Sequence, residues 1–312
     1  MKPNPTRHSA IAAALALIPI MPGTAIGQTM DFGMPAPPGR HGADERPPRF
    51  DATLDSSYTA AGTTEFRGAH LGDSDALNYS LGLSARVPLN AQWIVPLALR
   101  SQNLSLGTLP GVPSPGDIHT LQFDIGLGYR PNDRWMFMTR ITPTLYKLSD
   151  IGSNDRSASG SLMATWSYST SLKYMFGVMV SPDSDIQVLP MVGAEWAISD
   201  QVDLRLTFPK PRLIYRPDAR WRLHLGADMN MTTFRTSDSL GASTGLLQFN
   251  DALGTYRDIC IGAGIAYRLG NALSVEVDAG YSVSRQIDYT RIDERVEFDP
   301  APYAGIKLRL GF

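Results

Sequence analysis

Arg222, His224 and Asp228 recur on one face of the stretch WRLHLGADMNM, and Glu276 and Asp278 on one face of LSVEVDAGYSVS. An imidazole sharing a face with a carboxylate is raw material for proton transfer. The spacing argues against it. Four residues along a strand is about 13 Å, so His224 and Asp228 cannot hydrogen-bond within one strand. His224 therefore reads as a member of a charge lattice. GASTG (241–245) matches G-x-S-x-G around Ser243. A nucleophile elbow needs a strand before it and a helix after it, and this one falls in a Gly/Ser loop. His70 and His119 lie in or beside loops with no evident Ser or Asp partner. The two DSD triplets, 73–75 and 183–185, offer too few carboxylates for a dedicated Ca²⁺ site. GAGIAY from Gly262 lacks the last glycine of a dinucleotide loop and has no helix after it. Cys260 is the sole cysteine, so no internal disulfide forms, and it reads as an inert buried thiol. No catalytic residue, metal site or cofactor is assigned.

The elements that would carry these residues alternate. Leu77, Tyr79, Leu81, Leu83, Ala85 and Val87 oppose Asn78, Ser80, Gly82, Ser84 and Arg86. The same period runs through 121–130, 221–231 and 273–284. In 221–231 the apolar face takes in Trp221, Leu223, Leu225, Ala227, Met229 and Met231. Such runs last about ten to twelve residues, against roughly five or six for soluble strands and nine to eleven for a tilted bilayer crossing. Ahead of them, Lys2, Arg7 and His8 precede an apolar run from Ala10 to Met21 and the small residues GTAIGQ. This predicts a secretory signal peptide over 1–27, with cleavage after Gly27 or Ala25. Residues 28–49, rich in Pro and Gly, predict a periplasmic linker. The composition, 43% hydrophobic and 19% charged, excludes a disordered chain, and a net charge of −2 gives no basis for nucleic-acid binding. No segment is apolar for the ~18 residues a membrane helix needs.

Three features turn this pattern into a membrane barrel over 50–312 rather than a soluble sandwich. Strand length is the first. The second is that connectors alternate: short ones near Pro88, Asn132, Thr170, Asp200, Asp218 and Gly270, and long ones over 63–76, 107–117, 148–157, 234–254 and 286–299. Outer-membrane barrels have short periplasmic turns and longer outer loops. The third is that Trp93, Trp135, Trp166, Trp196 and Trp221, all on apolar faces, each lie near a short turn. With Tyr129, Tyr168, Tyr267 and Phe312 they predict an aromatic girdle at the headgroup level. The terminal run APYAGIKLRLGF is then a closing strand paired with the first, because an open edge in lipid leaves backbone groups unsatisfied. With both ends periplasmic the strand number is even. Thirteen runs are evident, and PRLIYRP (211–217) supplies the missing inward one. The expected class is all-β: a transmembrane antiparallel barrel of fourteen strands, or twelve if one hairpin does not span.

The alternating strands, TFPKPRLIYRPDARW (207–221) and the terminal GIKLRLGF resemble an uncharacterised bacterial outer-membrane barrel family, domain of unknown function 6268. A last strand ending in Phe resembles the signal read by the barrel assembly machinery, which is the partner this implies beside outer-membrane lipid. Neither resemblance brings a substrate.

The polar faces should line the lumen. They carry Arg86, Arg100, Arg140, Lys173, Arg205, Arg222, His224, Lys307 and Arg309 with Asp124, Glu195, Asp203, Asp228, Glu276 and Asp278. Mixed signs favour a salt-bridged lattice over a single-sign selectivity ring. Ile94, Ala98, Leu189 and Met191 add an apolar patch, a plug or a path for a greasy solute. The expected function is a passive or weakly selective, porin-like channel for a small solute in the Gram-negative outer membrane. A closed structural or surface-binding barrel and an outer-membrane hydrolase are the rival readings.

Overall fold

The computed structural model describes residues 49–146, 155–183 and 187–312. The expected signal peptide, and the linker apart from Arg49, lie outside the described residues. One antiparallel sheet closes on itself. Its strands are β1 (Arg49–Phe66), β2 (Ala69–Pro88), β3 (Trp93–Leu106), β4 (Asp117–Tyr129), β5 (Trp135–Leu145), β6 (Arg156–Ser167) and β7 (Leu172–Val180). They continue as β8 (Val188–Ala197), β9 (Val202–Thr207), β10 (Arg212–Tyr215), β11 (Trp221–Arg235), β12 (Leu253–Leu269) and β13 (Leu273–Tyr289). The last wall strand comes in two pieces, β14 (Glu294–Phe298) above and β15 (Ala301–Gly311) below, both lying between β13 and β1. The wall therefore has fourteen strands, and PRLIYRP supplies one of them as expected.

The periplasmic turns are built alike. Asn90 Oδ1 accepts the backbone N–H groups of Gln92 and Trp93, both at 2.9 Å. Asn132 Oδ1 does the same for Arg134 and Trp135 at 3.0 Å, and Asp218 Oδ1 for Arg220 and Trp221 at 2.7 and 2.9 Å. Ser169 and Ser199 repeat the device with a hydroxyl. Each side chain mimics a backbone turn. Asn or Asp three residues before a Trp thus starts the strand with the indole as its first residue. The two donated N–H groups also hold the Asp218 carboxyl below the usual carboxylate range.

Two of the expected long loops are not loops. Segment 63–76 is the top of the β1–β2 hairpin, turned at Arg67–Gly68 with both residues at positive φ. Segment 286–299 is the β13–β14 hairpin, closed by a 3₁₀ turn at Thr290–Ile292. The 234–254 segment holds a short helix, α1 (Leu240–Thr244), and a 3₁₀ turn at Leu247–Phe249. The 148–157 loop lies mostly outside the described residues, as does part of the second DSD triplet.

These outer segments reverse the inside-out pattern. In β1 a register shift between Thr59 and Gly62 brings Thr64 and Phe66 onto the buried face. In β13 a shift opposite Ile259/Cys260 does the same for Arg285, Ile287 and Tyr289. Phe66, Leu104, Leu106, Ile118, Phe234, Phe249, Ile287, Tyr289, Val296 and Phe298 then form an apolar core within the outer mouth. Outside it, Arg257 and Arg295 meet Asp288 at 3.1 and 2.6 Å. An oily interior under a charged surface is the arrangement water imposes. It is a correction to the expectation of greasy faces turned outward along the whole barrel: that rule holds only where lipid is the solvent.

The outer half of the wall is also interrupted. The β9–β10 hairpin is short, and β10 pairs only as far as Gly226 of β11. Beyond Ala227, β11 leaves the wall and crosses inward. Thr232 Oγ1 accepts from Gln102 Nε2 of β3 at 3.2 Å, and the strand comes up to β4. Met229 and Met231 were expected on the lipid face. They pack instead on Met138, Met163, Met179, Leu189 and Met191 of β5–β8, with Met231 2% exposed. Alternation puts them on the outer side of β11; the strand's departure puts that side inside the barrel.

Candidate functional site

Below the outer core lies a chamber of about 1070 Å³ reaching down to the periplasmic turns at Asp218–Arg220 and Asn271–Ala272. Arg86, Arg100, Asp124, Arg140, Glu195, Arg205, Arg222, His224, Asp228, Glu276, Asp278, Lys307 and Arg309 line it. Lys173 and Asp203 do not. Lys173 is the cross-strand partner of Glu195, and Asp203 is ion-paired with Arg216.

The charges are largely committed to one another. Asp228 meets Lys210 Nζ at 2.5 Å and Arg212 Nη2 at 2.9 Å. Arg212 Nη1 reaches Glu276 at 3.4 Å, and Arg222 closes on the other oxygen of Glu276. His224 Nε2 stands 2.7 Å from Asp278 Oδ1. Lys307–Asp55 at 3.1 Å and Arg309–Asp51 at 3.1 Å extend the lattice onto β1, and Arg205–Glu195 at 3.6 Å extends it onto β8. Lys210 and Arg212 were not singled out from the sequence, because the β9–β10 turn gives no alternation to read.

Glycine makes this packing possible. A Cβ at Gly264 would overlap His224 Cε1 and Asp278 Oδ1, and one at Gly262 would overlap the Tyr303 hydroxyl. His224, Glu276 and Asp278 bring ligand atoms within 4.8 Å of one another. Arg212 Nη1, 3.2 Å from His224 Nε2, already supplies positive charge to that trio, so it behaves as lattice. Ser243 donates to Leu240 O at 2.8 Å, and His119 contacts Asn103 at 2.9 Å.

The opposite side of the chamber carries an apolar wall beside Arg140 and Glu195. All eight methionines beyond residue 48, namely Met136, Met138, Met163, Met175, Met179, Met191, Met229 and Met231, fall on β5, β6, β7, β8 and β11. The expected patch of Leu189 and Met191 is one corner of this wall. Methionine count and clustering were visible in the sequence; that β11 joins β5–β8 was not.

Around the periplasmic rim Trp93 stacks on Tyr129 at 4.4 Å, Trp135 on Trp166 at 6.1 Å, and Trp221 lies 4.5 Å from Tyr267. Tyr168 and Tyr174 pack against Trp166, and Trp196 and Phe312 are exposed. Tyr174 belongs with this set and was missed.

A closed antiparallel barrel with exposed Leu, Ile, Phe and Val around its waist and rings of Trp and Tyr at one end is an outer-membrane β-barrel, in contact with lipid. The chain belongs to the family described as Domain of unknown function (DUF6268), whose model matches residues 108–310. No curated protein matches it. Among solved structures it is similar to an outer membrane channel of Pseudomonas putida F1, at 12% identity and TM-score 0.46, covering 89% of this chain and 100% of that one. It is also similar to the P. putida toluene transporter TodX (12%, TM-score 0.34, 84% and 89%) and to the NanC porin (7%, TM-score 0.38, 83% and 98%).

Proposed function

We propose that this barrel is a channel for a small solute, held closed at its outer mouth. The observation that carries the reading is the chamber of about 1070 Å³ that extends to the periplasmic turns beneath an apolar outer core. A barrel serving only as a wall has no need of such a space. The paired charges stiffen one side of the chamber and leave no ring of one sign, which fits weak ionic selectivity. The outer core gives the rival reading, a closed structural barrel, its specific support.

Planar-bilayer recording of the purified protein tests the choice. Steady unitary steps, more frequent when the outer core is weakened, are expected. Silence over many confirmed insertions, with the weakened variant included, removes the channel.

A further inference from the structure

The ionic side of the chamber holds most of its charges in mutual pairs, and the methionine side stands behind a break in the wall. Val188–Val192 of β8 pair with β7, but β9 pairs β8 only over Gly193–Ala197. Among the described residues, β11 past Ala227 pairs only with β12, and Val188–Val192 only with β7. The break is floored by the Phe208–Pro211 turn. Trp196 sits at the headgroup level, and Val188 is eight residues further along β8. At ~3.3 Å per residue and a tilt of about 45°, that is roughly 19 Å higher, inside an apolar band about 25 Å tall. The break therefore faces hydrocarbon, where unpaired strand edges are costly and need a reason. Its rim is apolar: Val188 and Leu206 are exposed, and Val192, 69% exposed, and Phe208 also border the chamber.

We propose that this break is a lateral port through which a small apolar molecule dissolved in the bilayer reaches the methionine wall and, from it, the chamber. The proposal rests on the channel reading and gives it a solute class. Thioether chains are unbranched and polarizable, reshape around varied apolar guests and make favourable contacts with aromatic rings. The strands beneath leave them room. A Cβ at Gly177 would come within 3.1 Å of Met163 Cγ and 3.2 Å of Met191 Cε, and one at Gly193 within 3.1 Å of Met175 Cε. Glycine at both positions lets the thioethers lie close against the strands. A charged solute gains little by this route, because Lys210, the cation in the turn that floors the port, is already paired with Asp228.

The test is photolabelling of the full chain in dioleoylphosphatidylcholine vesicles with trifluoromethyl-phenyldiazirine, mapped by peptide mass. Carbene adducts are expected on Met191 and Met231 as well as on the lipid-facing Leu225. An excess of unlabelled ethylbenzene should abolish the methionine adducts and leave those on Leu225. Adducts confined to outward residues such as Leu162 and Leu225, or methionine adducts that no competitor removes, overturn the port. Met191→Lys should lose the adducts at Met231. Gly193→Val, which fills the space under the thioethers, gives the same readout if the lysine variant does not fold. Bilayer recording on the same preparation separates the two readings. Unitary steps without methionine adducts bring down the port alone; competed adducts without steps bring down the channel alone.

Discussion

Phe50 and Phe312 exchange both backbone hydrogen bonds, each at 2.9 Å, and their rings stack at 6.0 Å. This pair locks the seam at the periplasmic rim. Above it Asp51–Thr59 run in register with Gly311–Tyr303. Phe312→Ala keeps the backbone bonds and removes the ring, so it should lower stability by about 1 kcal/mol. Reversible unfolding in lipid measures this; an unchanged midpoint would show that the ring adds nothing to the seam.

Leu225 is 57% exposed on the waist of β11. Leu225→Arg should cost about 2–4 kcal/mol in lipid, while Leu225→Phe is tolerated. From alternation alone, Asp228→Ala is the milder change. The ion pairs with Lys210 and Arg212 narrow that difference, since the substitution leaves two cations facing each other. A loss of about 2 kcal/mol follows, and Lys210→Met in the same chain should restore part of it. A double-mutant cycle with no coupling would refute the pairing.

At the outer tips, both Arg67 Nε contacts to the Glu294 carboxylate are 3.1 Å, joining the β1–β2 and β13–β14 hairpins. The guanidinium beside it holds the Glu294 carboxyl below the usual carboxylate range. A depressed folded pKa means the contribution is present above the ordinary carboxylate range and is lost as pH falls through the folded value. Amide-exchange protection at the two tips, corrected for intrinsic rates, should therefore drop in acid. In Glu294→Gln it should be low already at neutral pH, with the membrane strands unaffected in both cases.

Phe249 is fully buried among Phe66, Tyr289 and the rest of the outer core. Phe249→Ala should loosen that core by about 3 kcal/mol. If the core is the closure, open events in bilayer recordings become more frequent without loss of the barrel's heat-stable gel mobility. Unchanged recordings would assign closure elsewhere.

Much of this molecule was legible because hydrocarbon and water impose opposite rules on the two faces of a strand. A run such as Leu77 to Val87 has one arrangement in a bilayer, and its length gives the span. Parity demanded the strand at 211–217. Trp three residues after Asn or Asp marks where strands begin, because the side-chain turn that aims the indole is local. The positions of Arg222, His224, Glu276 and Asp278 on the chamber wall follow from the same alternation.

What alternation cannot carry is a change of solvent or of neighbour along one strand. Thr64, Phe66, Ile287 and Val296 face inward because the hairpins rise into water, and single-residue register shifts turn them over. Met229 and Met231 obey the expected period, yet lie inside, because β10 ends early and β11 crosses toward β3 and β4. Which cation serves Asp228, and whether the methionines meet, depends on strands far apart in sequence. The chain by itself determined which residues a bilayer accepts and hence the barrel. The packing of distant strands decided where the barrel is closed, where its wall is broken and what stands in the gap.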